Sequence, residues 1–188
     1  MRLAVLASGT GSICQAIIDA HVDVAAVVAD RTCGVIDLAN ARGIPSFIVE
    51  RTDFGSDFDR RQFSRDIVTT LQEADIDVVA MAGFGTVLDA PFFDAFDGRV
   101  LNTHPALLPS FPGWHGVRDA LRQGVKITGC TVHIATLEVD SGPILAQAAV
   151  EVLDNDDEAS LHERIKSTER HLYPATIKKF LADLEAHT

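Results

Sequence analysis

Leu101-Asn102-Thr103-His104-Pro105-Ala106-Leu107-Leu108-Pro109-Ser110-Phe111-Pro112-Gly113 is the stretch around which this chain is organised. Its three prolines and its glycine exclude a regular helix or a central strand across it. Residues 100–103 are apolar enough to end a buried strand, which Pro105 then stops. Because alternate residues of a strand share a face, Asn102 and His104 are expected to project together. The stretch therefore predicts an amide and an imidazole side by side, braced by a stiff turn.

Apolar strands alternate with helices before this stretch, and the rhythm changes after it. Spacing predicts strands at 2–7, 22–29, 44–49, 78–82 and 99–103, and helices at 13–20, 35–42, 59–74 and 91–96. A helix at 117–123, two strands at 125–135 and 143–152 without a helix between them, and a helix at 160–185 follow. Ser160 is expected to cap that last helix in a capping box with Glu163, and Pro174 to kink or divide it. The order predicts an α/β, Rossmann-like fold in a single domain, with a mostly parallel twisted sheet, helices on both faces and an antiparallel edge.

Composition narrows the classes of protein and partner. The 188 residues are 47% hydrophobic and carry a formal charge of −11, which fits one ordinary globular domain and argues against binding nucleic acid. No apolar run approaches the length of about 20 residues that spans a membrane, and the start does not read as a signal peptide. The three cysteines, Cys14, Cys33 and Cys130, form no CxxC pair. We therefore expect free thiols, no zinc site and a cytoplasmic location.

A glycine loop, Ser8-Gly9-Thr10-Gly11-Ser12, joins the first strand to the first helix. Backbone N–H groups and hydroxyls at a helix start suit a phosphate, although a plain glycine-rich turn would look the same. The loop is half of a dinucleotide fingerprint, since Asp30 lies at about the right distance but Cys14 occupies the place of the third glycine. A dinucleotide-binding oxidoreductase or a non-catalytic nucleotide-binding module is thus an alternative, and it leaves the Asn102 and His104 pair unexplained.

Two further polar residues lie downstream in apolar surroundings. Taken singly, His133 in a predicted strand is a core histidine, and Asp140 before the last strand is a turn residue. Together with Asn102 and His104 they provide donors and a carboxylate suited to transferring a carbonyl group. The acidic run 154–158 is simplest as a solvated loop, with a metal site as the minority alternative.

Asn102-x-His104-Pro105-x-Leu107-Leu108-Pro109 with Asp140-x-Gly142-Pro143 resembles the signature of the folate-dependent formyltransferases. The resemblance extends over essentially the whole chain, through Ala82-Gly83-Phe84, His115, His133 and Glu169-x-x-x-Tyr173-Pro174. The glycine loop narrows it to the branch that formylates glycinamide ribonucleotide in purine biosynthesis. It implies a transferase that moves the formyl group of 10-formyltetrahydrofolate, a co-substrate, to that amine without a metal. The partners would be small molecules only, with a homodimer possible.

The resemblance also implies roles for individual residues. Asn102 and His104 would stabilise the oxyanion, Asp140 would support His104 and relay a proton, and His115 and His133 would support the site. The phosphate would be bound by Ser8, Gly9, Thr10, Gly11, Ser12 and Ile13, and other parts of the ribonucleotide by Glu169 and Arg60. The folate would contact Met81, Phe84, Gly85, Thr86, Val87, Thr136, Leu137, Glu138 and Val139. One formyltransferase domain, 1–188, would then have a phosphate-binding half, 1–100, and a catalytic and folate-binding half, 101–188.

Two departures and two relatives qualify this expectation. Ile13 stands where many relatives carry a polar Asn, and Gly85-Thr86 replaces a methionine and a basic residue. Methionyl-tRNA formyltransferase carries a further C-terminal domain, and formyltetrahydrofolate deformylase a further N-terminal one. The predicted first strand at 2–7 and the end of the chain at 188 leave no room for either, so both are expected to be excluded.

Overall fold

The computed structural model describes residues 1–55 and 57–187. Its two compact units are Met1–Leu101 and Asn102–Thr188. The strands are β1 (Leu3–Ala7), β2 (Val24–Ala29), β3 (Ser46–Ile48), β4 (Val78–Met81), β5 (Val100–His104), β6 (Ile127–Ile134) and β7 (Ile144–Glu151). The helices are α1 (Ser12–Asp19), α2 (Gly34–Ala41), α3 (Arg60–Glu73), α4 (Ala90–Ala95), α5 (Gly116–Gln123) and α6 (Glu158–Glu185). Each predicted element is present, with its ends within about two residues of the prediction.

The strands belong to one sheet, in the order β3-β2-β1-β4-β5-β6-β7. In the first unit β1 pairs in parallel with β2 and with β4, and β2 pairs in parallel with β3. All five residues of β1 are buried, which explains its uninterrupted apolar sequence, because a central parallel strand is covered on both faces. The predicted α/β fold with a mostly parallel sheet is confirmed.

The second unit contains the antiparallel edge of the sheet, β6 against β7. This pairing leaves no space for a side chain at two glycines. A Cβ at Gly129 would overlap the Ala148 carbonyl oxygen, and one at Gly142 would overlap that of Ile134. One hydrophobic cluster fixes the hairpin against the helices of this unit, and it comprises Val117, Cys130, Val150, Leu161 and Ile165.

The start of α6 differs from the prediction. Asp157, not Ser160, is the N-cap: its carboxylate accepts the Ser160 backbone N–H at 2.8 Å, and the Ser160 hydroxyl accepts the Asp157 N–H at 3.0 Å. Aspartate caps a helix as well as serine does, so the box closes three residues earlier and Glu163 takes no part. Pro174 does not divide the helix, which is assigned without interruption across its 28 residues. Pro174 is buried in a helix of this length, where packing compensates for one missing N–H.

Four of the five residues in the acidic run 154–158 are exposed, as expected of a solvated loop, and Asp156 is the exception. Asp156 accepts two hydrogen bonds from the Arg164 guanidinium, both at 2.7 Å, and its side chain is 2% exposed. Asp154 pairs with Lys126 at the surface. Within residues 1–55 and 57–187 no group of three or more His, Cys, Asp or Glu side chains could hold a metal ion. No helix in that part of the chain is both long and apolar enough to cross a membrane.

Candidate active site

Strand β5 ends the way the sequence predicts, with Asn102 partly buried and His104 4% exposed. Pro105 follows, and the chain turns away from the strand. The turn carries a cis peptide bond between Leu108 and Pro109. Its polar backbone groups need partners, because proline-rich turns cannot satisfy them by forming regular structure.

Thr131 on β6 provides those partners. Its hydroxyl donates to the Ala106 carbonyl at 2.7 Å and accepts the Leu108 N–H at 3.0 Å. Gln147, on the neighbouring strand β7, donates to both the Leu108 carbonyl at 2.8 Å and the Thr131 hydroxyl at 3.0 Å. The turn that follows His104 is thus fixed to the β6–β7 hairpin by two side chains that the sequence analysis did not select.

Both ring nitrogens of His104 face acceptors. Nδ1 lies 3.2 Å from Asp140 Oδ2, and Nε2 lies 2.8 Å from the Phe111 carbonyl oxygen. A neutral imidazole can donate to only one of them, whereas an imidazolium donates to both. Nε2, the nitrogen that points away from the carboxylate, is therefore placed to donate a hydrogen bond whenever it carries a hydrogen.

Asp140 is held in a left-handed backbone conformation, with φ at 55°. Its Oδ2 accepts the Gly113 N–H at 2.7 Å, and its side chain is 5% exposed. Burial by itself raises the pKa of Asp140, but hydrogen bonds from His133 and Gly113 and the charge of His104 outweigh it, so the pKa is lowered overall. Asp140 is therefore ionised at neutral pH.

His133 connects Asn102 to this carboxylate. Its Nδ1 lies 3.0 Å from the Ile134 carbonyl oxygen, which only accepts, so Nδ1 carries a hydrogen. Its Nε2 lies 3.2 Å from Asn102 Nδ2 and 3.5 Å from Asp140 Oδ1, so this nitrogen faces both the amide and the carboxylate. The contact with Asn102 is the shorter of the two. His133 is buried like a core histidine, as predicted, and it also orients the Asn102 amide.

Glu169 is a second buried carboxyl in the same unit, 7% exposed on α6. Burial raises its pKa, and the neighbouring Thr103, Lys166 and Arg170 offset only part of that effect. A carboxyl in such a position can exchange a proton more readily than a surface glutamate can, and it is stabilised more strongly by binding a cationic or amine ligand.

The glycine loop starts helix α1 in the first unit. Gly11 is the N-cap with φ at 80°, and no side chain at that position caps the helix. A Cβ on Gly11 would lie 2.9 Å from Val35 Cγ2, so both the conformation and the space require glycine. The N–H groups of the first turn are thus left without a side-chain acceptor, as an anion site needs. Ile13 is buried, so only its backbone can serve such a site.

Asp30 is fully buried and occupied by donors within the same unit. Arg31 donates to both of its carboxylate oxygens, at 2.9 and 3.1 Å, and the Thr86 hydroxyl donates to one of them at 2.7 Å. A dinucleotide-binding fold would need this carboxylate to accept from a ribose. The Asp30 carboxylate is already bonded to Arg31 and Thr86, so it does not support the dinucleotide-binding alternative.

The other predicted residues differ widely in exposure. Arg60 is the first residue of α3 and is exposed, and so is His115, which precedes α5 without capping it. In the loop before Asp140, Thr136 bonds to the Glu138 carbonyl at 3.0 Å. The exposed members of the predicted folate set are Val87, Leu137, Glu138 and Val139, the partly buried ones are Met81, Phe84, Gly85 and Thr136, and Thr86 is buried.

Sequence reasoning missed Thr131, Gln147 and the Gly113 N–H. Thr131 precedes His133 by two residues, so the strand pattern places both on one face, and that was an available signal. Gln147 gave none, because its role depends on the register in which it faces Thr131.

The formyl transferase family model matches residues 1–177. The chain belongs to the formyl transferase family. Membership confirms the resemblance inferred from the Asn102, His104 and Asp140 motifs and establishes the chain as a transferase, against the oxidoreductase alternative.

Relatives within the formyl transferase family are similar over nearly the full chain. Phosphoribosylglycinamide formyltransferase of Mycobacterium tuberculosis is 49% identical over 181 residues, which are 94% of this chain and 83% of the relative. Trifunctional purine biosynthetic protein adenosine-3 of Drosophila melanogaster is 42% identical over 186 residues, 94% of this chain but 14% of that protein. The structure of glycinamide ribonucleotide transformylase 1 from Symbiobacterium toebii superposes with a TM-score of 0.89 at 38% identity, covering 96% of this chain and 87% of that one.

Proposed function

We propose that this chain transfers the formyl group of 10-formyltetrahydrofolate to the amine of 5'-phosphoribosylglycinamide in purine biosynthesis. The names of its relatives, a phosphoribosylglycinamide formyltransferase and a purine biosynthetic protein, support the acceptor and the pathway. The single observation that carries the chemistry is the position of His104, which lies between the Asp140 carboxylate and the Phe111 carbonyl with Asn102 on the same strand.

In the proposed reaction the amine attacks the formyl carbon, and the formyl oxygen becomes an oxyanion. His104 Nε2 would exchange the Phe111 carbonyl for that oxyanion, so the donor is prepared before substrate arrives. Asn102 supplies a second donor, since His133 holds only one of its two amide hydrogens. Oxyanion donors of this kind contribute about 3–4 kcal/mol each to the transition state.

Protons must then move from the attacking amine to the departing nitrogen. As the bond between the formyl carbon and N10 of the folate breaks, N10 gains a proton and the new amide loses one. Asp140, ionised and bonded to His104, is the nearest base to the imidazolium and would relay that proton, directly or through water. Direct attack by the amine requires neither a metal ion nor a covalent enzyme intermediate.

Binding roles follow the same proposal. The phosphate would bind the backbone N–H groups of residues 8–13, with Glu169 on the glycinamide side and Arg60 contributing charge. The folate would bind the segments 81–87 and 136–139. Small molecules are the only partners the reaction needs, it would take place in the cytoplasm, and a homodimer stays a prediction for sedimentation analysis.

A direct assay tests the proposal. Purified protein is given 10-formyltetrahydrofolate with and without the ribonucleotide, and tetrahydrofolate release and formylated product are followed. We expect turnover that requires the ribonucleotide. Formate release without it would favour deformylation, and no reaction at all would refute the proposal.

Variants at the three catalytic positions sharpen the assay. Asn102→Ala, His104→Ala and Asp140→Asn are each expected to lose most turnover while staying folded. The matched control is His171→Ala, which removes an exposed histidine whose one bond among the described residues is to Ser167 of its own helix. Near-normal activity of the His104 variant would contradict the assignment.

A further inference from the structure

Asp30 has a position that the formyl transfer chemistry does not require. It follows β2 directly, and its acidic side chain is completely buried. A buried carboxylate is stable only if donors surround it. What supplies those donors is informative, because they come from separate loops of the first unit.

One donor belongs to the segment predicted to contact folate. The Thr86 hydroxyl donates to Asp30 Oδ2 at 2.7 Å, and Thr86 is itself 1% exposed. Because of this bond the Thr86 side chain is turned to Asp30, and only its backbone remains for a ligand.

The glycine loop bonds directly to that same segment. The Ser8 hydroxyl oxygen accepts the Gly85 N–H at 2.6 Å. The Ser8 N–H also donates to the Gly83 carbonyl at 3.1 Å.

Arg31 completes the set. Its bidentate contact fixes the guanidinium beside the same loops, and a Cβ at Gly85 would lie 3.4 Å from Ser8 Oγ and 3.7 Å from Arg31 Nη2. Burial by itself raises the pKa of Asp30, but the hydrogen bonds from Arg31 and Thr86 outweigh it and the pKa is lowered. The carboxylate thus keeps its donors only while the 83–87 loop stays in place, and that loop is bonded to Ser8 of the glycine loop.

We propose that Asp30 is a positioning residue: through Thr86 it holds the 83–87 loop, which in turn holds Ser8 of the glycine loop, 8–12, so that a disturbance of one loop weakens ligand binding at the other. The inference rests on the proposed function for the identity of the two ligands. It adds that the two substrates are linked through a group that neither of them touches.

Thr86→Val is the decisive variant, because it removes one hydroxyl from the 83–87 loop and keeps the shape of the side chain. We expect the KM for the ribonucleotide to rise about fivefold and the KM for the formyl donor to rise, with kcat within about twofold of wild type. Thr70→Val is the matched control and should change neither KM, since within residues 1–55 and 57–187 its hydroxyl bonds to the Asp66 carbonyl of its own helix alone. Asp30→Asn should shift both KM values in the same direction and further.

Amide hydrogen exchange of the ligand-free protein gives a readout that needs no activity. Thr86→Val should raise exchange in the peptide that contains residues 8–12 as well as in that containing 83–87. Should the ribonucleotide KM and the exchange of residues 8–12 both stay at wild-type values, the coupling is overturned while the proposed function stands. Should wild-type protein fail to transfer a formyl group, the proposed function is overturned, and exchange alone decides the coupling.

Discussion

Replacing Asp140 by asparagine removes one negative charge from beside His104 with little disturbance of the fold. Asp140 has φ at 55°, a left-handed conformation that asparagine tolerates nearly as well as aspartate. The amide oxygen of asparagine can still accept the Gly113 N–H, which Asp140 now accepts at 2.7 Å. What the variant loses is the support for a positive charge on the imidazole.

The size of the loss follows from one distance. Asp140 Oδ2 lies 3.2 Å from His104 Nδ1. At that separation and an effective dielectric constant of about 20, two unit charges attract by about 5 kcal/mol. Part of this attraction already exists before substrate binds, and only the part that grows in the transition state affects turnover. If about half of the attraction develops only in the transition state, its loss lowers kcat by about a hundredfold.

Steady-state formyl transfer at saturating substrate measures this, with unfolding by urea to verify the fold. Asp75→Asn is the control, since Asp75 is exposed and has the same left-handed backbone, with φ at 54°. It makes the same change of charge and should leave kcat unaltered. A folded Asp140→Asn enzyme with kcat within about threefold of wild type would refute the argument that the carboxylate supports the imidazolium.

Three further outcomes are expected. His133→Phe keeps an aromatic ring but removes the nitrogen that orients the Asn102 amide, so kcat should fall about tenfold. An unchanged kcat would show that Asn102 is held by other means. Asp157→Ala removes the cap of α6 and should lower the free energy of unfolding by about 1 kcal/mol in urea titration, a prediction that fails if the midpoint does not move. Burial raises the pKa of the Cys14 thiol to about 11, so alkylation at pH 8 should label the less buried Cys33 first and Cys14 only near or above pH 11, and early labelling of Cys14 would contradict its burial.

Apolar periodicity was sufficient to predict the fold because the strands of a covered parallel sheet are apolar throughout. Strand β1 is the clearest case, with five buried residues in succession. The predicted N-cap of α6 was wrong for a local reason. Asp157 and Ser160 are both good N-cap residues, and sequence alone does not say which of the two the helix uses.

The candidate site could be predicted where its residues lie close together in the sequence. Asn102 and His104 lie on one strand, and Pro105 after them makes their pairing readable. The contacts of Asp140 with His104 and His133 depend on how a distant loop folds back, and only the family resemblance indicated them. The occupation of Asp30 by Thr86 and Arg31 was not foreseen, since hydrogen bonds to a buried carboxylate leave no trace in spacing.

Gln147 is exposed, and a survey that ranks substitutions by exposure would treat it as a tolerant position on an edge strand. Yet Gln147 is one of two residues whose side chains hold the turn after His104. Its amide donates to the Leu108 carbonyl and to the Thr131 hydroxyl, and a leucine or a lysine of similar size cannot make this pair of bonds in the same way. Harmful variants of this enzyme will therefore include some at exposed positions. Such variants would lower turnover but not the amount of folded protein, which separates them from variants that unfold the protein.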